Sequence, residues 1–293
     1  YYCKVTSTYD ATGVNSNTVS LSIIAPDVSI VTNNGDYNQG QIIYNNGNYF
    51  DLDAILSQGT NVSYLWYKNS VSTGVTTAKY TLQMSNTVHA SYYVVATNNG
   101  GSDTSNTISV YMNPLITANP SSITINVGQT ATFSVSAQGS SLTYQWYDSN
   151  GIIGGATGSS YTTPSTTSAY NQRGYYCVVG SSISGTTPAT STTATLTVEY
   201  APTIGSVNVD GTTATSNLQI FNVSNGDSYT LNAVNVDDGQ PNATSRGWYK
   251  WNGSSYGTLI SSNDSVSTYQ NDDSTEYYRY IISNTKGTAQ SYE

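Results

Sequence analysis

Charge is scarce in this chain: Asp, Glu, Lys and Arg make up 9% of the 293 residues, and only 8 are basic. With a formal charge of −9 and a pI near 4.2, there is no positive footprint for a phosphate backbone, which argues against nucleic acid as a partner. The same sign argues against anionic lipid headgroups. No apolar run approaches the roughly 20 residues that cross a bilayer, so no membrane insertion is expected within this segment. Cysteine is nearly absent, with only Cys3 and Cys177, too few for a disulfide framework. Histidine occurs once, as His89, in a stretch expected to be a loop, with no second imidazole or cysteine pair nearby. Without a base beside them, the many serine and threonine hydroxyls stay weak nucleophiles. No catalytic, cofactor-binding or metal-ligating set is therefore expected, and the chain reads as non-enzymatic.

Polar positions are filled instead by Ser, Thr, Asn, Gly and 27 Tyr, while 37% of residues are apolar. Disorder needs low hydrophobicity together with high charge, so this composition points to folded strands with a hydrogen-bonding surface. At this length two or three units are expected.

Repetition carries most of the information. A tyrosine pair opening an alternating strand occurs at Tyr1-Tyr2-Cys3-Lys4-Val5, Tyr92-Tyr93-Val94-Val95-Ala96, Tyr175-Tyr176-Cys177-Val178-Val179 and Tyr277-Tyr278-Arg279-Tyr280-Ile281-Ile282. A tryptophan precedes three of them, in Tyr64-Leu65-Trp66-Tyr67, Tyr144-Gln145-Trp146-Tyr147 and Gly247-Trp248-Tyr249-Lys250. Earlier still, a glycine turn (Gly47, Gly128, Gly226) leads into Phe50-Asp51-Leu52-Asp53-Ala54, Phe133-Ser134-Val135-Ser136-Ala137 and Tyr229-Thr230-Leu231-Asn232-Ala233. Period two gives each strand one buried and one wet face. Closing strands follow at Asn17 to Ile23, Asn106 to Val110 and Thr193 to Val198, with Pro26, Pro114 and Pro202 soon after. Helical periodicity is absent, which leaves an all-β chain.

This order of strands resembles the immunoglobulin superfamily, in which a tryptophan sits on the third strand and a tyrosine precedes the sixth-strand cysteine by two. The match is clearest in Tyr92-x-Val94-x-Ala96-x-Asn98 and Tyr278-x-Tyr280-x-Ile282-x-Asn284-x-x-Gly287. It departs at the inter-sheet disulfide: Leu52, Val135 and Leu231 face Val94, Cys177 and Tyr280. The resemblance implies tandem immunoglobulin-like β-sandwiches in a semi-rigid rod with incomplete terminal repeats. The implied core is Trp66, Trp146, Trp248, Tyr92, Tyr175, Tyr278 and Cys177, the last packing as a small hydrophobe against Val135 and Trp146. Thr143-Tyr144-Gln145-Trp146-Tyr147 and the run from Ser122 to Phe133 are similar to repeats of prokaryotic, especially archaeal, surface proteins. An S-layer or appendage is implied, located outside the cell and associating with itself into a polymer or lattice.

The expected units are 1–24 (the last two strands of a partial repeat), 25–112, 113–199 and 200–293, the last stopping where a closing strand should begin. A chain that opens on the sixth strand suggests either a window of a longer protein or donation of residues 1–24 to a neighbour. The junctions Ile23-Ile24-Ala25-Pro26, Tyr111-Met112-Asn113-Pro114 and Tyr200-Ala201-Pro202-Thr203 contain no Gly/Ser spacer, and proline stiffens them. Five sequons, at Asn61, Asn222, Asn242, Asn252 and Asn263, are candidate N-glycosylation acceptors. The carboxylates Asp237-Asp238 and Asp272-Asp273 with Glu276 read as solvated turns before calcium ligands. Outward tyrosines (Tyr2, Tyr93, Tyr176) are candidates for cross-strand pairing or for contact with glycans. An alternative function is an adhesin or receptor stalk binding glycan or protein through loops at the sandwich ends, with residues 150–160 as a glycine-rich candidate. A third is an accessory region of a secreted hydrolase.

Overall fold

A computed structural model describes residues 4–7, 10–15, 22–32, 40–83, 89–213, 228–250, 255–256, 258–269 and 276–291. The described residues form tandem immunoglobulin-like β-sandwiches, with a single 3-10 turn at Ser168–Tyr170. Near the N-terminus, Lys4–Ser7 pairs antiparallel with Asp10–Asn15.

In the first complete sandwich, the strands Asp27–Thr32, Tyr49–Gln58 and Lys79–Gln83 form one sheet. The facing sheet runs in the order Gln41–Tyr44, Ile108–Met112, His89–Asn98, Ser63–Lys68 and Val71–Ser72, with Gly101–Thr104 also paired to His89–Asn98. Gln41–Tyr44 and Ile108–Met112 run parallel. His89 is thus the first residue of a strand, a correction to its expected loop setting. Its ring stacks on Tyr111 directly across the ladder, at 4.8 Å between centroids, and aromatic stacking supplies what a loop would not.

The second sandwich repeats this order with Ile123–Asn126, Ala194–Glu199, Arg173–Ser181, Leu142–Asp148 and Gly151–Ile152. Its other face is split: Thr132–Ser134 pairs with Ser160–Thr162, while Ser136–Gln138 pairs with Leu115–Ala118. The continuous strand expected around Val135 therefore breaks there and serves two partners.

In the third sandwich, Thr203–Val209, Ser228–Asp237 and Ser265–Tyr269 lie opposite Thr258–Ser261, Ser245–Lys250, Tyr278–Asn284 and Gly287–Gln290. Gly287–Gln290 pairs with Tyr278–Asn284 as Gly101–Thr104 pairs with His89–Asn98 in the first sandwich.

Each of the three repeat tryptophans fills its own core and is itself tied down, while Trp251 lies outside the described residues. Trp66 and Trp146 are wholly buried and Trp248 nearly so. Their indole N–H groups donate to the carbonyls of Thr77 (2.8 Å), Gly158 (3.0 Å) and Asp264 (3.2 Å), which satisfies the one polar atom that indole brings into an apolar core. Tyr92, Tyr175 and Tyr278 are buried beside them. Cys177 is a free, buried thiol in the same cluster as Val135 and Trp146, and burial pushes its pKa up.

A device absent from the sequence reading splices the closing strand. The strand breaks at Ser105 and Ser191, and their hydroxyls, like that of the equivalent Ser291, accept the backbone N–H of the residue at the inter-sheet position: Val94 (3.0 Å), Cys177 (2.9 Å) and Tyr280 (2.8 Å). The serine N–H donates back to the same residue's carbonyl. Two buried backbone groups are thereby paired where the ladder is interrupted.

Candidate functional site: the joints between sandwiches

The most elaborated construction shared by the three sandwiches lies at their entry ends, where the preceding linker is held. Each linker proline presses on a glycine at the corner before the tryptophan strand. A Cβ at Gly59 would lie 2.9 Å from the Pro26 Cα, at Gly139 3.0 Å from the Pro114 Cα, and at Gly239 2.7 Å from the Pro202 nitrogen. All three glycines have positive φ, so both contact and conformation require glycine here.

The carbonyl two residues before each proline is captured as well. Ile24 O accepts from Asn98 Nδ2 at 2.9 Å, and Tyr200 O from Asn284 Nδ2 at 2.9 Å. The same two amides reach the corner itself, donating to Thr60 O (3.2 Å) and Pro241 O (2.7 Å). Their Oδ1 atoms accept the N–H groups of Gly100 and Lys286 (both 2.8 Å), which closes the following turn. In the second sandwich serines replace the asparagine. Met112 O accepts from Ser140 N (3.0 Å), Met112 N donates to Ser140 Oγ (2.9 Å), and Ser181 Oγ donates to Ser140 O (2.5 Å). Linker, corner and turn are locked by neutral hydrogen bonds that salt does not screen.

No free residues separate neighbouring repeats at these joints. Met112 ends a strand of the first sandwich and is clasped by the second; Glu199 ends a strand of the second, and Tyr200 is clasped by the third. Asn113 serves both sides, donating to Asn45 Oδ1 (3.0 Å) and accepting from Thr187 N (2.9 Å).

A second shared feature is the wet face of the tryptophan-bearing sheets. Tyr67 stacks on Tyr93 (4.8 Å, 6°) and Tyr147 on Tyr176 (5.1 Å, 8°), each pair in direct cross-strand register. In the third sandwich Tyr249 faces Arg279 instead, whose guanidinium lies over Tyr256 at 4.7 Å. In the second and third sandwiches the short edge strand exposes an aliphatic side chain in register with that tyrosine, Ile152 beside Tyr147 (66%) and Leu259 beside Tyr249 (51%), whereas in the first the exposed Val71 (69%) lies opposite Lys68. Tyr2 lies outside the described residues.

Other sequence candidates are engaged structurally. Asp237 accepts from the Tyr200 hydroxyl and from Gly239 N, and Asp238 pairs with Arg246. Glu276 pairs with Lys250 and accepts the Tyr278 hydroxyl, while Asp272 and Asp273 lie outside the described residues. Among the described residues no group of three or more His, Cys, Asp or Glu side chains converges as a metal site. The glycine-rich segment 150–160 is tied to the tryptophan strand, with Ile153 and Ala156 packed against the core: Trp146 N donates to Ala156 O (2.9 Å), Ile153 N donates to Trp146 O (3.0 Å), and the segment supplies the indole acceptor. Asn61, Asn242 and Asn263 are exposed; Asn222 and Asn252 lie outside the described residues.

Sandwich topology and joints define a class, tandem immunoglobulin-like chains. No protein-family model matches the chain, and no curated protein is similar to it. Among solved structures it resembles the I-band fragment I67-I69 of titin, with a TM-score of 0.50 and 13% identity over 93% of this chain and 97% of that one. Similar too are Dpr2 Ig1-Ig2 in complex with DIP-Theta Ig1-Ig3 (TM-score 0.45, 13% identity, 90% and 97% covered) and three N-terminal domains of the bacteriophage RB49 outer capsid protein Hoc (TM-score 0.36, 19% identity, 91% and 96% covered). At these identities the likeness is one of fold alone.

Proposed function

We propose that this chain is a non-catalytic structural segment of an extracellular cell-surface assembly, an S-layer lattice or a filament, built from immunoglobulin-like repeats that divide at 1–24, 25–112, 113–199 and 200–293. The observation that carries the reading is the joint: each linker is captured by the sandwich it enters, through a Pro–Gly contact and hydrogen bonds to a backbone carbonyl. Such joints transmit position from one repeat to the next, which a load-bearing or lattice-forming rod needs and a flexible tether does not. The low charge of the chain suits close lateral packing. The stacked tyrosines on the outward face of the first two sandwiches, with Ile152 beside the second pair, supply apolar area for contact between copies.

The alternative is an adhesin or receptor stalk that binds glycan or protein through loops at the sandwich ends; residues 150–160 anchor Trp146 through backbone groups and leave Gly151, Ile152, Gly154 and Gly155 exposed to a ligand. We propose the exposed Asn61, Asn242 and Asn263 as acceptors for N-linked glycans, with Asn222 and Asn252 outside the described residues.

Electron cryotomography of native surface material tests the proposal. A regular lattice or helical filament, with a spacing that matches these repeats, is expected. Isolated, variably bent stalks with unordered neighbours would overturn it and return attention to ligand binding.

A further inference from the structure

The two joints between complete sandwiches share the linker clasp, but their additional contacts are of opposite chemistry. The turn that follows the tyrosine strand is short in the first and third sandwiches, with two residues between His89–Asn98 and Gly101–Thr104 and two between Tyr278–Asn284 and Gly287–Gln290. In the second sandwich it is an excursion between Arg173–Ser181 and Ala189–Thr190. That excursion reaches back to the first sandwich. Gln41 Nε2 donates to Ser184 O at 3.3 Å, Thr187 N donates to the bridging Asn113, and Gly185 lies so close to Ile43 that a Cβ there would meet its Cδ1 at 3.0 Å. All of these contacts are neutral or apolar.

At the next joint the short turn of the third sandwich carries Lys286, whose Nζ sits 2.6 Å from Glu199 Oε2, on the last residue of the second sandwich's closing strand. Both side chains are about a quarter to a third exposed, so water and ions reach the pair.

We infer that the chain has one buttressed joint and one ionic joint: residues 182–188 hold the first and second sandwiches together independently of salt, while Glu199–Lys286 sets the stiffness between the second and third and releases it as ionic strength rises. At 1 M salt the screening length falls to about 3 Å, against about 10 Å at 0.1 M. Partly exposed pairs of this kind shift a two-state equilibrium by about two- to fivefold. The joint therefore softens without coming apart, because the Asn284 clasp on Tyr200 is not ionic. In an assembly of such chains bending concentrates at every ionic joint.

The test uses the full chain with Cys3→Ser and Cys177→Val, carrying nitroxide pairs at Thr76→Cys with Thr157→Cys, and at Thr157→Cys with Ser262→Cys. Distance distributions are read by pulsed electron spin resonance at 20 mM and 1 M NaCl. The expected result is a 157–262 distribution that gains a second population, two- to fivefold larger at high salt, beside a 76–157 distribution that does not change. Lys286→Gln should reproduce the high-salt distribution at low salt, and Glu199→Lys with Lys286→Glu should restore the narrow one. Ile43→Ser, and separately replacement of residues 182–188 by Asn-Gly, should broaden only the 76–157 distribution. Equal salt responses at both joints, or none at either, would overturn this inference and leave the rod intact. Broad distributions at both joints in low salt would instead overturn the rod itself.

Discussion

The second and third sandwiches fill the same structural position, the pair of residues facing each other between the sheets, in opposite ways. In the second it is occupied by Val135 and the buried thiol of Cys177, both apolar in behaviour. In the third Leu231 faces Tyr280, whose phenol is wholly buried yet brings a hydroxyl with it. That hydroxyl donates to Asp264, and Arg246 pairs with both Asp264 and Asp238. Without a disulfide the position selects for volume, and volume supplied by tyrosine imports a polar atom that needs its own acceptor. The third sandwich thus carries a charged network at this position, where the second has two apolar groups and keeps its own ion pair, Arg173–Asp148, elsewhere.

The largest effect should come from emptying the core that relies on packing alone. Trp146→Ala removes a wholly buried indole, its contact with Phe133 and its bond to Gly158, and should cost about 3–5 kcal/mol. Hydrogen exchange resolved by sandwich should show the second unfolding well before its neighbours. Next in size is a change of the opposite sign. Val135→Cys places a thiol opposite Cys177, and an oxidised bridge should stabilise the second sandwich by about 2–4 kcal/mol, read as a rise in Tm that reductant abolishes. The same design at Leu231 and Tyr280 should fail, because it strands the Asp264 network. Tyr280→Phe, which removes only the hydroxyl, should cost the third sandwich about 1.5–3 kcal/mol; a loss below 0.5 kcal/mol, within about the error of such melts, would mean that Asp264 and Arg246 hold each other unaided.

Alkali gives the mildest probe. Burial, with smaller contributions from neighbouring tyrosines, pushes Tyr92 up to about 12; burial likewise pushes Tyr175 up to about 12, against the pull of Arg173. Unfolded tyrosine loses its proton near pH 10, so between about pH 10 and 12 the unfolded chain binds fewer protons than the folded one and stability falls with rising pH. The expected slope is up to about 1.4 kcal/mol per pH unit for each such tyrosine. Burial and the Asp264 carboxylate raise Tyr280 further still, so the third sandwich should keep losing stability above pH 12, and Tyr280→Phe should flatten that limb.

The all-β sandwich was legible in the sequence wherever a strand alternates cleanly around a bulky anchor, as at Trp66, Trp146 and Tyr175. The breaks were not. Ser105, Ser191 and Ser291 look like wet-face residues in a string of hydroxyls, and only the fold shows that their oxygens replace a ladder bond. Val135 hides the break in its strand for a related reason, since alternation continues through it while the hydrogen-bonding partner changes. At the joints, the prolines and the missing spacer could be read directly. The clasp could not: Asn98 and Asn284 stood in the repeat pattern as in-phase asparagines, but their acceptors lie 74 and 84 residues away. Glu199 and Lys286 are separated even more widely, and no local pattern pairs them. The aromatic stacks across the wet face were partly visible, because paired tyrosines recur in register with the tyrosine after each tryptophan.

The central claim is that clasped linkers, braced at the second joint by Glu199–Lys286, make neighbouring sandwiches move as one body at low ionic strength, and residual dipolar couplings of the isotope-labelled full chain under that condition test it most directly. One alignment tensor shared by the sandwiches, with Asn284→Ala releasing the third from it, is the predicted result. Independent tensors in the unmodified chain would contradict the account, since they would mean that the hydrogen bonds to Met112 and Tyr200 do not restrain the joints.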